Sequence, residues 1–177
     1  MSNISLNDNV SIVLAALGRC ALPHQFAVVG GFARDVKHGV MPKDIDVAVV
    51  GHVSVADIIR AMSHAGYANE GNVPCESEGA DATRWAYILQ FSSPNKLDVD
   101  ILISARNEDL LTCVANNDYN LNQYIMFNGQ PMFVGKREGI LHLSRNSQVT
   151  EERKQYIEQK ARDLGWIVPV TPTAEEA

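Results

Sequence analysis

Two short apolar runs, at residues 26–29 and 45–50, restrict what this chain can fold into more than any other feature. The first stops at Gly30-Gly31, and the second carries Asp44 and Asp46 at its mouth. Each run is too short for a helix, is rich in β-branched residues and is bounded by turn residues, so each reads as a buried strand. Residues 30–38 between them read as a helix closed by Gly39, which makes the segment a strand–helix–strand unit. Residues two apart in a strand point to one face, so Asp44 and Asp46 project side by side. Two carboxylates held that close repel each other unless a cation lies between them. Oxygen donors of this kind suit Mg²⁺ or Mn²⁺. Glycines where a strand hands over to a helix offer bare backbone N–H groups to a phosphate.

The flanking sequence supplies the remaining elements. Val10, Val13, Leu14 and Leu17 mark one helical face over residues 7–18, with Gly18 expected to end that helix in the left-handed region. Val55, Ile58, Ile59 and Met62 mark another, closing near Gly66. Residues 68–81 are acidic and turn-rich and read as a loop. Thr83, Trp85, Tyr87, Leu89 and Phe91 alternate as a half-exposed strand, and residues 97–103 return as a second strand carrying Asp98 and Asp100. Residues 108–115 read as a helix. Residues 121–127 and 131–134 flank Asn128-Gly129, a hairpin signal. Thr150 caps a last helix that runs to Gly165. This order predicts a single α/β (α+β) domain over residues 1–165, with helices on a mixed sheet and a mobile tail at 166–177.

At 177 residues and 46% apolar composition the chain can bury a core without disulfides. Cys20, Cys75 and Cys113 lack disulfide or zinc spacing and read as reduced thiols in a cytoplasmic protein. No run is long enough to span a membrane, and residues 1–5 do not begin a secretion signal. A formal net charge of −6 disfavours a broad nucleic-acid footprint, which leaves a local basic groove from Lys37, Lys43, Lys136, Arg137 and Arg145 as one arrangement and scattered solvated charges as the other.

Paired strand carboxylates beside a phosphate cradle suit phosphoryl or nucleotidyl transfer. Two-metal chemistry takes a third carboxylate from a neighbouring strand. Asp98 and Asp100 share a strand face, so spacing does not separate them; Asp100 is the favoured ligand and Asp98 the alternative. Arg34, at the start of its helix, would face the phosphate, the other reading being a surface arginine paired with Asp35 or Asp57. The alternating aromatics 85, 87 and 91 fit core packing better than base stacking.

Gly30-Gly31-Phe32-Ala33-Arg34-Asp35, Gly39 and Pro42-Lys43-Asp44-Ile45-Asp46 resemble the head-domain signature of nucleotidyltransferases of the DNA polymerase beta superfamily. Within it they are most similar to tRNA CCA-adding enzymes and bacterial poly(A) polymerases. Asp118-Tyr119-Asn120-Leu121-Asn122-Gln123 is similar to that family's Arg-Asp-Phe-Thr-Ile-Asn-Ala segment. The resemblance implies a polymerase-beta-like fold, metal ligation by Asp44 and Asp46, triphosphate contacts from Gly30, Gly31 and Arg34, and sugar contacts near Asp118 and Asn122. Asp35 and Lys43 join the expected nucleotide site. Asn117 stands where the family has arginine, and the family's base-reading Glu-Asp-x-x-Arg helix has only Glu151-Glu152-Arg153 as a counterpart, which reads as an ordinary helix start.

The resulting expectation is a cytoplasmic nucleotidyltransferase using two Mg²⁺ (or Mn²⁺) ions. It would move NMP from an NTP to an acceptor hydroxyl and release pyrophosphate. The acceptor is an RNA or tRNA 3′ end on the motif match. It is a protein or small-molecule hydroxyl on the acidic balance and short length. A non-catalytic nucleotide- or partner-binding module is the remaining alternative. The sequence leaves the NTP and the oligomeric state open.

Overall fold

The computed structural model describes residues 5–21, 24–74, 85–143 and 149–169. Cys75, Thr83, Arg145 and Pro172 lie outside them. The chain runs through helix α1 (Leu6–Leu17), strand β1 (His24–Val28), helix α2 (Gly30–Lys37), strand β2 (Asp44–Gly51), helix α3 (Val55–His64) and strands β3 (Ala68–Pro74), β4 (Trp85–Ser92) and β5 (Asp98–Ser104). Helix α4 (Leu110–Ala115), a 3-10 turn (Asn120–Asn122), strands β6 (Tyr124–Phe127) and β7 (Gln130–Phe133) and helix α5 (Glu151–Asp163) complete it.

Five strands form one sheet in the order β1-β2-β5-β4-β3, in which β2 and β5 run parallel and the other pairings are antiparallel. Alternation along each strand sends the two faces to different cores. Ile45, Val47 and Val49 join Val99, Ile101, Ile103, Leu89 and Phe91 beneath α1 and α3. Ala48 and Val50 face the other way, into a smaller cluster with Cys113, Val114 and Ile125. Asp44 and Asp46 continue that second face beyond the part that α4 covers. A third cluster packs Ala33 of α2 against Tyr124, Ile157, Ala161 and Trp166, and so fastens α5 to α2 and the β6–β7 hairpin.

The mixed sheet and its helices are as expected, with four local differences. Gly18 ends α1 at φ −63°, so it closes the helix in the right-handed region, receiving no demand for a left-handed residue. Residues 68–74, expected as loop, form edge strand β3; its register shifts between Asn69 and Gly71, which accommodates Glu70 as a bulge against β4. Leu121, expected to start a strand, lies in the 3-10 turn instead. Residues 166–169 belong to the packed body: Trp166 is 6% exposed, and Ile167 exchanges backbone hydrogen bonds with Gly139 and Leu141. An indole worth several kcal/mol of burial overrides the polar and proline-rich composition around it. The Asn128-Gly129 turn is as expected, with φ of 48° and 75° joining β6 to β7. Among the described residues no helix is long and apolar enough to cross a membrane.

Candidate active site at the mouth of the parallel strand pair

Parallel pairing of β2 with β5 sets Asp44 opposite Asp98 and Asp46 opposite Asp100. Register partners share a sheet face, so all four acids project to one side. The tertiary structure thus brings together the two acid pairs that lie more than fifty residues apart in sequence. Burial raises the Asp46 carboxyl to about 7, and the charges of Asp44 and Asp100 push the same way; the Gly31 N–H and the Arg34 guanidinium oppose them. Burial likewise raises Asp100, with Asp44 and then Asp98 adding to it, against a hydrogen bond from Gln90. Asp100 therefore couples to both Asp44 and Asp46. Asp98 is exposed at the start of β5, as Asp44 is at the start of β2.

Gly30 has φ +64° and stands where β1 gives way to α2. A Cβ there would sit 3.2 Å from Asp46 Oδ2, closer than nearly all real contacts. Absence of that carbon lets the start of α2 lie against the carboxylate, and the Gly31 N–H donates to it. The expected phosphate cradle thus directs one of its donors at Asp46.

Arg34 is 4% exposed and belongs to a connected polar network. Its Nε donates to Asp35 Oδ1 at 2.8 Å and its Nη1 to Asn122 Oδ1 at 2.8 Å. Its Nη2 would lie 3.5 Å from a Cβ on Gly31, at the cavity wall. Asn122 Nδ2 reaches Asp118 Oδ1 at 3.4 Å, and Asn117 Nδ2 donates to the Asn122 carbonyl at 2.6 Å. Asp118 Oδ2 accepts from Arg153 Nε at 2.9 Å, and Asp35 Oδ1 lies 3.2 Å from Lys160 Nζ. Arg34 consequently pairs with its neighbour Asp35, and it also lines the cavity.

These groups surround a cavity of about 400 Å³ whose walls include Gly30, Gly31, Arg34, Lys43, Asp44 and Asp46. Asp35, Asp118 and Asn122 also line it, so the structure gathers every residue expected at the nucleotide site into one hollow. Asp100 lies in an adjoining hollow of about 420 Å³ with Glu70, Gln90, Ser92 and Asp98; Lys43 and Asp44 border both. Among the described residues the cavity's cations are Arg34, Lys43, Arg153 and Lys160, so of the basic groove weighed from sequence Lys43 is present and Lys37, Lys136 and Arg137 are not, with Arg145 outside the described residues. Of the three aromatics, Phe91 is core and Tyr87 is exposed, while Trp85 lines the cavity.

Read from sequence, Arg153 belongs to an ordinary helix start, and Tyr156 and Lys160 carry no site signal. Arg153, Tyr156 and Lys160 stand at i, i+3 and i+7 and present one helix face to the cavity. That spacing was present in the sequence, yet polar residues at helical spacing also describe any solvated helix.

Among the described residues, no three His, Cys, Asp or Glu side chains form a ready-made cation cage. The donor set nonetheless fits Mg²⁺ or Mn²⁺. Magnesium is commonly held by one or two carboxylates, with waters and substrate phosphates completing its shell. Burial first, and then the neighbouring carboxylates, raise Asp46 and Asp100, so a cation placed among them would favour their charged forms.

No protein-family model matches this sequence, and no curated protein matches it either. The fold does match solved structures. A tRNA-processing enzyme in an apo form aligns over 95% of this chain and 45% of its own, with 12% identity and a TM-score of 0.58. An apo CCA-adding enzyme aligns over 91% and 44%, with 13% identity and a TM-score of 0.53. The Bacillus stearothermophilus CCA-adding enzyme in complex with CTP aligns over 94% and 42%, with 14% identity and a TM-score of 0.51. At these identities the likeness is one of fold, and it is the fold that residues 30–46 led us to expect. The chain spans less than half the length of these structures.

Proposed function

We propose that this chain is a divalent-metal-dependent nucleotidyltransferase, moving NMP from an NTP to an acceptor hydroxyl with release of pyrophosphate. One observation carries the reading: of three coupled carboxylates on two neighbouring strands, Asp44 and Asp46 line a cavity that also holds Arg34, Lys43, Arg153 and Lys160, and Asp100 lies in the hollow adjoining it. That polarity suits a substrate with a polyanionic tail and a reaction centre at its edge. Arg34 is oriented by Asp35 and Asn122, so a fixed guanidinium nitrogen meets the phosphates without reorganisation. Lys43, between the two hollows, adds mobile positive charge. Asp118 and Asn122 offer oxygen and amide groups to the sugar.

Asp44, Asp46 and Asp100 are the proposed ligands of two Mg²⁺ or Mn²⁺ ions, with Asp98 supporting from the strand's exposed end. When bound, such ions acidify an acceptor hydroxyl and neutralise charge on the leaving pyrophosphate. No protein base is then required.

The proposed acceptor is an RNA 3′ end, supported by the motif match and by the fold shared with CCA-adding and tRNA-processing enzymes. A second reading, a protein or small-molecule hydroxyl, draws on one observation. Among the described residues the hollow beyond Asp44 is lined by Glu70, Asp98 and Asp100 against Lys43, which suits a neutral or cationic acceptor better than a phosphate chain.

Pyrophosphate release is to be measured with each NTP and Mg²⁺, with an RNA pool and with a protein lysate. α-³²P label then shows which fraction is modified. Release is expected to disappear in the Asp44→Ala/Asp46→Ala double variant. Unchanged release from that variant would remove these acids from the reaction.

A further inference from the structure

The Arg34 side chain depends on a residue more than a hundred positions away. Asp35, which takes the Arg34 Nε, is 5% exposed and also receives Lys160 Nζ, at 3.2 Å from Oδ1 and 3.3 Å from Oδ2. The Lys160 side chain is itself only 19% exposed. Its helix is fixed by Ile157 and Ala161, both fully buried, and by Trp166. Lys160 is therefore delivered to Asp35 by the core, which spares it the entropic cost that makes exposed lysine pairs weak. Asp35 alone would cancel the charge of Arg34. With Lys160 the trio carries one net positive charge, buried beside the cavity, where screening is weak.

We propose that Lys160 is a positioning residue for the donor triphosphate. Through Asp35 it holds the Arg34 fork in place, and by sharing the Asp35 charge it leaves Arg34 positive toward the cavity. This assignment rests on the NTP reading above, and it goes beyond it by giving α5 a part in phosphate selection. Its signature is dependence on phosphate number. Loss of one positive charge beside the triphosphate weakens a nucleotide that places phosphates there more than one that lacks them, while a purely structural lysine would weaken both alike.

The test titrates the whole chain with NTP and with the NMP of the same base, in Mg²⁺ buffer, using whichever of the four NTPs binds the wild type best. Lys160→Met keeps the aliphatic stem and removes the charge. It is expected to weaken NTP on the order of tenfold and NMP by no more than about threefold. Lys160→Arg restores the charge and is expected to recover most NTP affinity. Lys160→Gln, which keeps a donor to Asp35 without charge, serves if the methionine variant melts early, and it is expected to show the same NTP-selective loss. Equal weakening of NTP and NMP, or undiminished NTP binding in both uncharged variants, overturns the assignment. Failure of the wild type to bind any NTP overturns the nucleotidyltransferase reading first, so the two failures are distinguishable.

Discussion

Replacing Asp46 with asparagine should make the metal-free protein more stable while abolishing the proposed pyrophosphate release. The Asp46 carboxyl moves from 3.8 to about 7 on folding, so the folded chain disfavours the charged form. At ~1.36 kcal/mol per pH unit the shift corresponds to a ceiling of about 4 kcal/mol. Asp46 keeps some solvent contact, so roughly 1–3 kcal/mol is the working figure after screening. Between about pH 4 and pH 7 the folded chain holds a proton that the unfolded chain has released. The favourable balance is present below the unfolded pKa and is lost as pH rises through the folded one. Metal-free wild type should therefore lose stability across that window, whereas Asp46→Asn should lose less. The amide removes the charge and keeps an oxygen that can accept from the Gly31 N–H. At pH 8 in EDTA the variant should melt about 3–10 °C above wild type, given ~2–4 °C per kcal/mol for a chain this size. Added Mg²⁺ should stabilise wild type and leave the variant nearly unmoved. Calorimetric melts at pH 5, 6.5 and 8, with and without Mg²⁺, give the full comparison. A variant that melts below wild type at pH 8 in EDTA would refute the argument that this carboxylate is held against its own repulsion.

Two further outcomes follow from packing. Asn120 is fully buried, donates to the carbonyls of Lys136, Arg137 and Ile140, and accepts the His142 N–H. Asn120→Ala strands those backbone groups and should cost about 2–4 kcal/mol in urea denaturation, with the midpoint moving and the slope unchanged. Gly30→Ala and Gly39→Ala both place alanine at positive φ, but only the first sets a methyl against Asp46. Each should cost about 1–2 kcal/mol of backbone strain, while only Gly30→Ala should also depress pyrophosphate release, by roughly tenfold or more. Equal activity in the two glycine variants would show that the close approach of α2 to Asp46 is unimportant.

Much of the site was legible in residues 26–50 because short-range rules govern it. Period-two alternation puts Asp44 and Asp46 on one face, and a diglycine between a strand and a helix permits the turn that carries α2 beside them. The same locality explains the misreadings. Asn69, Glu70, Gly71 and Asn72 have turn chemistry, yet they lie in an edge strand because β4 offers a ladder and a bulge absorbs the extra residue. Trp166 looked like the start of a tail because its partners, Ala33, Tyr124 and Leu141, lie far from it in sequence.

By itself the sequence specified the strand–helix–strand unit, the adjacent pair of acids and the bend that leaves Gly30 free of side-chain bulk, since each follows from residues within a turn or two of one another. Only the tertiary structure decided that β5 lies parallel to β2 in the register that sets Asp100 against Asp46. Only it turned one face of α5 inward so that Arg153 and Lys160 meet Asp118 and Asp35. Strand register and helix rotation are set by the burial of side chains from distant segments, and no local pattern in the acids or cations themselves records that choice.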